Sequence, residues 1–575
     1  MEFAMRDKIR RILPGVILFA FLIAGVVEHN LLDVKIHNFH LIQNGFVKAA
    51  VIPIKQDFDK GEVFSVEFEL ESSFEEIPMH IVPDDCVDSI VVNGRKKSLA
   101  GIDGLCSFTK GFDFAAEPGF YHVYLRNNGG AGGFDLMLKN TSCQKILYVV
   151  NSLLLLALLG WLIYKFRILP FRLMLMFLVA VGLHCAYTYD TNYMTRSYDT
   201  DGHVAYVKYI AENHSIPKDD ECWSCYHPPV YYVAGASVWT LATQLGLVET
   251  RALQWLSFVF SIILMIVGVK ILMLLLNGAP LVLASSLWLF WPVLFMISPR
   301  VGNDQLFFLT HVLCLWWCLK YILNKDGRCM ILAGFMVALS FWTKNTGTVT
   351  ALIFVSAFVL GYFPRQSLKP GKSEIAAFAV FAVFVFCVVL DKFFFESALV
   401  GNLNSLNSSM RVKSNVQNIL FFDIKEFLTI PYTSGWYDEG GRQYMLNYLA
   451  KTSMFGETIL DDSVAGKNLA VSMSFLFLGI VAAAFVGFLK TKINKAYLLL
   501  VLQAVYFFVA LTTLRVKAPY GCSSDFRYVV PVLLSFVAFA GLGVFRKEVS
   551  LGWKCTGVVF SVLFVICTIW LMMLL

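Results

Sequence analysis

The chain has 575 residues, of which 57% are hydrophobic and 15% charged, against about 25% charged in soluble domains. Long apolar runs such as Ile375–Leu390 and Leu469–Leu489 replace the missing charge, which excludes an ordinary soluble protein. The net charge of +6 comes from Lys and Arg in short loops between those runs, so there is no basic face for nucleic acid.

Residues Arg6–Leu32 pair a basic start with an apolar stretch and show no small-residue cleavage site. They read as an uncleaved signal anchor, giving a first segment 1–32. Residues 33–142 differ in character. Phe64, Val66, Phe68 and Leu70 alternate with Ser65, Glu67 and Glu69, the period of a half-buried strand. Ile90–Val92 runs into Asn93-Gly94, a tight-hairpin signal. Tyr121, Val123 and Leu125 alternate again before a glycine-rich turn at Asn127–Gly133. Short strands with this punctuation predict a β-sandwich.

From 143 to 575 the chain is mostly apolar runs of membrane-spanning length. With the anchor they predict about 13 spans, near 12–28, 145–164, 169–188, 252–275, 279–297, 304–323, 328–344, 346–363, 375–394, 469–489, 494–514, 527–545 and 554–575. Unpaired backbone cannot sit in lipid, so the spans are expected as helices. The expected fold class is a polytopic α-helical membrane protein with an extracytoplasmic β-sandwich near the N-terminus. Enrichment in Phe and Trp, 51 and 12 residues, suits membrane lipids as partners.

Loop charge sets the expected orientation. Starting with Arg6, Lys8, Arg10 and Arg11 inside, the span count also puts Lys165/Arg167, Lys325/Arg328, Arg365/Lys369/Lys372, Lys490/Lys492/Lys495 and Arg546/Lys547/Lys554 inside. Were Pro228–Leu245 a span, every later basic loop would flip outward. It is therefore expected as a helix on the outer surface. Residues 29–144, 189–250, 396–468 and 515–526 and the turn Pro299–Asp304 then face outward.

Four outer stretches carry candidate chemistry. Asp199, Asp201 and His203 follow a span, and His203–Ile210 reads as a short helix. A carboxylate there can act as general base on an acceptor hydroxyl, hold a divalent cation with His, or simply cap the helix from Asp201. Arg300, Asn303 and Asp304 open a later span, where Asp304 can serve as cap and dipole partner. Lys344 interrupts two apolar runs, either snorkelling or meeting a lipid phosphate. Arg527 suits bidentate phosphate binding, with Asp525 beside it as a neutralising charge.

Of the 13 cysteines, Cys185, Cys314, Cys318, Cys329, Cys387, Cys555 and Cys567 fall in or at the ends of spans, as small core residues. Cys222-Trp223-Ser224-Cys225 has His227 and His203 nearby and reads as a disulfide or a partial zinc site, the disulfide fitting an oxidising exterior better. Cys86 with Cys106 is a second plausible pair.

The order of these stretches resembles the GT-C superfamily, near the protein O-mannosyltransferases and lipid A aminoarabinose transferases. The matching strings are D-x-D-G-H-x-x-Y-x-x-Y-I from Asp199, H-P-P-x-Y-Y from His227, P-R-x-x-N-D from Pro299, T-K at Thr343-Lys344 and R-Y-x-x-P at Arg527-Tyr528. The loop Gly435–Glu457 is similar to a late outer loop of some members. The resemblance covers about residues 169–545. It implies an inverting glycosyltransferase using a polyprenyl- or dolichyl-phosphate sugar donor and a glycan, lipid or protein acceptor. It also implies an aspartate base in the first outer loop. Asp201 is slightly favoured for that role because it precedes Gly202-His203 at the helix start, while Asp199, four before His203, fits some relatives better; relatives often carry Asp-Glu there. Lys344 and Arg527 would hold the donor phosphate, and His227 with Pro228-Pro229 would shape the acceptor side. A divalent cation is left open, since the module occurs with and without one. Ser89–Leu99 and Glu117–Leu138 resemble galactose-binding-like jelly rolls, which serve for docking or for sugar binding. The rival readings are a transporter or flippase, which would show repeats and midplane charges, and a polysaccharide polymerase or ligase of the cell envelope.

Overall fold

The computed structural model describes residues 34–49, 54–57, 60–72, 74–83, 86–106, 111–127, 131–138, 142–196, 199–219, 221–362, 371–382, 411–433, 442–460 and 463–574. The expected anchor span at 12–28, Tyr198, 396–410 and 434–441 lie outside them, as does 383–394 of the span expected at 375–394. The chain divides into two compact units, one ending at Lys165 and the other starting at Phe166.

Among its described residues, the first unit holds ten strands and one long helix. One sheet has the order β2-β1-β4-β9-β6-β7 and the other β3-β10-β5-β8. These strands are Val34–Gln43 (β1), Phe46–Ala49 (β2), Ile54–Asp57 (β3), Val63–Ser72 (β4), Ile77–Pro83 (β5), Cys86–Val92 (β6), Arg95–Lys96 (β7), Phe112–Ala116 (β8), Gly119–Arg126 (β9) and Ala131–Leu138 (β10). All pairings are antiparallel. The alternation in β4 sends Phe64, Val66, Phe68 and Leu70 inward, none above 1% exposed. They meet Tyr121, Val123 and Leu125 of β9 and Met79, Ile81, Phe112 and Phe134 of the other sheet in one core. Each such side chain contributes about 1.5–3 kcal/mol on burial. Asn93 and Gly94 both take positive φ, 50° and 77°, which the tight β6–β7 hairpin requires. Cys86 and Cys106 form a disulfide. The helix α1, Ser142–Lys165, closes this unit in sequence.

The second unit is helical. Among the described residues of the whole chain, seven helices are long and apolar enough to cross a membrane, α1 being one of them. The other six are α2 (Phe171–Asp190), α5 (Glu249–Leu275), α8 (Asp304–Asn324), α15 (Val464–Lys490), α16 (Lys495–Lys517) and α18 (Leu551–Leu574). Four shorter apolar helices accompany them: α6 (Gly278–Leu289), α9 (Arg328–Thr343), α10 (Gly347–Tyr362) and α17 (Val532–Phe545). The remaining helices are α3 (Thr200–Asn213), α4 (Val230–Gln244), α7 (Pro292–Ile297), α11 (372–382), α12 (Val416–Leu420), α13 (Ile424–Thr429) and α14 (Met445–Phe455).

Two expected spans have a different form. The run at 279–297 is two helices, because Trp291 is extended at φ −73°, ψ 128° and Pro292 starts α7. A proline disfavours helical geometry in the residue before it while suiting a first helical position itself. The run at 527–545 begins with a 3-10 turn, Phe526–Tyr528, and becomes α-helical only at Val532. α4 has 15 residues, too few to cross 30 Å of hydrocarbon at about 1.5 Å each.

Small residues let α15 and α17 cross closely. A Cβ on Gly487 would run into the Phe539 carbonyl, and one on Gly543 into the Ala483 carbonyl. Such stripes let helix backbones approach where lipid supplies no hydrophobic drive. On α16, the buried Arg515 donates to the carbonyl of Tyr520 at 2.8 Å and to that of Gln443 at 3.2 Å. Phe526 N–H in turn donates to Thr452 Oγ1 of α14 at 2.9 Å. These bonds tie the loop bearing Arg527 to the loop bearing Glu457.

Candidate active site

The site grows from the start of α3. Asp199 holds the N-cap position in the left-handed conformation, φ 51°, and its side chain makes no cap bond. Asp and Asn are among the few L-residues that visit this region readily. The carboxylate faces the Arg527 guanidinium instead, Oδ2 to Nη2 3.8 Å, and is about half exposed. Asp201 is not the cap: it lies in the first turn, exposed. Among the described residues it has no hydrogen-bond or ion-pair partner. Asp201, which the sequence favoured slightly, and its rival Asp199 thus stand in different surroundings.

His203 is buried, and its Nδ1 lies 2.7 Å from the Tyr232 hydroxyl. Its ring stacks with that of His227 at 5.6 Å between centroids. Gly302 packs beneath; a Cβ there would sit 3.1 Å from His203 Cδ2. Burial lowers the His203 pKa to about 4, with Asp199 and Asp304 opposing. Burial, then His203 and Lys344, lower His227 well below its ordinary value. Both imidazoles are neutral at pH 7 and bring no positive charge to a phosphate. The carbonyl of His227 accepts from the Tyr206 hydroxyl at 3.4 Å, so α3 and the turn before α4 are joined.

The second arm comes from α8 and α9. Asn303 occupies the N-cap position and donates from Nδ2 to the Thr343 carbonyl at 3.1 Å. This brings Asp304, the first residue of α8, to Lys344, which ends α9; Lys344 Nζ hydrogen-bonds and ion-pairs with Asp304 Oδ1. The same ammonium lies 5.1 Å from the Tyr528 ring centre. Arg527 donates to the Tyr528 hydroxyl at 2.9 Å and its guanidinium carbon is 4.9 Å from that ring. Lys344 and Arg527 therefore bracket one aromatic ring. Burial opposes the charge on Arg527, but Tyr528, Asp199, Asp525 and Asp304 outweigh it and hold its pKa above the ordinary value.

A further group, Glu457, escaped sequence reasoning, whereas Asp525 was expected beside Arg527 as a neutralising charge. Asp525 accepts from Arg527 N–H at 3.0 Å and ion-pairs with its Nε at 3.7 Å. Glu457 accepts from the Tyr448 hydroxyl. Burial and then Asp525 push Glu457 up to about 8, with Arg527 and Arg300 opposing. Burial also raises Asp525. Arg300, just before α8, opposes the rise at both of these carboxyls. Tyr226 lies in the same field: burial first, then Asp199, push it up to about 12. Glu457 closes the loop string noted above, but no spacing in the sequence ties it to Arg527.

Cys222 and Cys225 are joined by a disulfide, which leaves His203 and His227 without thiolate partners for zinc. Among the described residues no group of three or more His, Cys, Asp or Glu could hold a metal ion. Asp199 and Asp304 each face a cationic side chain.

No protein-family model matches the chain, and no curated protein does. Several solved structures are similar to it. ArnT from Cupriavidus metallidurans, bound to undecaprenyl phosphate, is 12% identical with a TM-score of 0.41, over 67% of this chain and 62% of that one. The Archaeoglobus fulgidus oligosaccharyltransferase AglB, in complex with an inhibitory peptide and a dolichol-phosphate, is 13% identical with a TM-score of 0.41, over 70% and 55%. Arabinosyltransferase EmbB from Mycobacterium smegmatis is 12% identical with a TM-score of 0.31, over 95% and 65%. The chain spans about three fifths of the length of these structures.

Proposed function

We propose that the chain is an inverting glycosyltransferase that moves a sugar from a polyprenyl- or dolichyl-phosphate donor to an extracytoplasmic acceptor. The observation that carries this reading is the cluster of Asp199, Arg527, Tyr528, Lys344 and Asp304. It sets a half-exposed carboxylate beside two cations at the ends of apolar helices. The Asp199 carboxylate takes the proton of an acceptor hydroxyl. The hydroxyl oxygen attacks the anomeric carbon on the face opposite the phosphate. The bond from that carbon to the phosphate oxygen breaks, and the lipid phosphate leaves with the electron pair. Arg527 and Lys344 meet the charge that develops on it. On donor entry, the phosphate takes the place of Asp199 and Asp304 against these cations. His203, kept neutral by burial and hydrogen-bonded to Tyr232, orients His227 and the Pro228-Pro229 turn on the acceptor side. The two disulfides support an outward-facing site, since such bonds persist in oxidising compartments.

The test is transfer by the purified chain in lipid nanodiscs, using labelled polyprenyl-phosphate sugars and a panel of glycan, lipid and protein acceptors. Loss of the lipid-linked label from the wild type and not from Asp199→Asn supports the reading. Equal turnover by wild type, Asp199→Asn and Asp201→Asn overturns it.

A further inference from the structure

The Cys222–Cys225 disulfide closes the smallest loop that a C-x-x-C pair allows, with a sequence separation of 3 against 20 for Cys86–Cys106. In the chain-entropy account a shorter loop constrains the unfolded chain less, so opening this bridge costs the fold less stability. Its two sulfurs differ in environment. Cys225 is 2% exposed, while Cys222 is half-buried and next to Trp223, which is 50% exposed. An incoming thiolate can therefore reach one sulfur beside an apolar docking residue, while the other is shielded and suited to leave.

The bridged turn is also part of the site. A Cβ on Gly202, between Asp201 and His203, would meet the side chains of Ser224 and Trp223. The His227 N–H donates to the Ser224 carbonyl at 3.1 Å. Tyr226 and His227 follow directly, their rings 4.1 Å apart, with His227 stacked on His203. The turn holding these two aromatic groups beside Asp199 is thus cross-linked at its base.

We propose that Cys222–Cys225 is a thiol–disulfide exchange site for a dithiol partner, and that its redox state sets how firmly the Tyr226–His227 turn is held over the acceptor side. One thiolate of the partner attacks Cys222 Sγ. The Cys222–Cys225 bond breaks, and Cys225 leaves as a thiolate and takes a proton. The partner's second thiol then attacks the mixed disulfide, releasing Cys222 as a thiol and leaving the partner oxidised by two electrons. The exchange step stands independently of the transfer reading; its effect on turnover rests on that reading.

The experiment uses the full chain in nanodiscs, treated with dithiothreitol, alkylated with a maleimide and mapped by mass spectrometry. Reactivity of His227 toward diethyl pyrocarbonate is followed alongside transfer. The expected result is labelling of both Cys222 and Cys225 in the folded protein, reversed by oxidised glutathione. His227 reactivity should rise on reduction, and transfer should fall about tenfold or more, as displaced site groups cost rate steeply. The Cys222→Ser/Cys225→Ser variant should stay at the reduced level whatever the reductant. Labelling only after unfolding, or His227 reactivity that ignores the redox state, overturns the proposal. A redox-dependent His227 with no transfer in either state counts against the transfer reading alone.

Discussion

Arg527 and Asp199 face each other across 3.8 Å, joining a 3-10 turn late in the chain to the first residue before α3. The pair separates Asp199 from Asp201, which lies two residues on, exposed in the first turn of α3. Asp199→Asn should cut transfer by roughly 10²–10⁴-fold, the range lost with a general base. Asp201→Asn should stay within a few-fold of wild type. Turnover measured with saturating donor, at matched protein yield, checks both.

Lys344 and Arg527 bracket Tyr528, so each should matter more for the donor than for the acceptor. Arg527→Lys keeps the charge but loses the planar fork, and should raise the donor KM more than the acceptor KM. Lys344→Ala should also reduce yield, because it leaves the half-buried Asp304 carboxylate without its nearest cation. The double variant Asp304→Asn/Lys344→Met should recover yield and still use donor poorly. An acceptor KM that rises as much as the donor KM in Arg527→Lys would remove the phosphate clamp.

Local signals were legible where one period or one turn decides the structure. The alternation in β4, the Asn93-Gly94 hairpin and the long apolar helices all follow from side-chain pattern and hydrocarbon thickness. The C-x-x-C disulfide could be weighed against zinc because a lone pair lacks two ligands. Relations that depend on three-dimensional closure were not legible. Asp199 and Asp201 differ by two positions in a string, and only the left-handed backbone at Asp199 turns one toward Arg527. Glu457 and Asp525 lie in loops whose meeting is set by Arg515 and Thr452, polar groups that carry no periodic signature. The break at Trp291-Pro292 was present in the sequence as a proline, but it was outweighed by the apolar run around it.

Glu457 gives a pH signature. Its pKa rises from the ordinary 4.5 to about 8 in the folded chain, so the folded state binds more protons than the unfolded state between those values. Stability therefore falls as pH rises through that window. Glu457→Gln should remove this slope and be the more stable form above pH 8, as read by thermal unfolding in nanodiscs. His203 works in the other direction: lowered from 6.5 to about 4, it makes the folded state lose stability as pH falls from 6.5 toward 4. His203→Gln should flatten that acid limb and leave the alkaline one unchanged. An unaltered alkaline slope in Glu457→Gln would rule out its buried, neutral form.

The crossing of α15 and α17 supplies a prediction independent of the chemistry. Gly487 sits against the Phe539 carbonyl and Gly543 against the Ala483 carbonyl, so neither position has room for a side chain. Gly487→Leu must push the helices apart, at about 1–3 kcal/mol for overpacking a close contact. The loss should appear as a lower melting temperature in detergent. Because α17 follows the turn bearing Arg527 and Tyr528, donor use should weaken as well, while Gly552→Leu at an exposed position near the start of α18 should change neither. A melting temperature in Gly487→Leu equal to that of Gly552→Leu would show that the helices do not approach at Gly487.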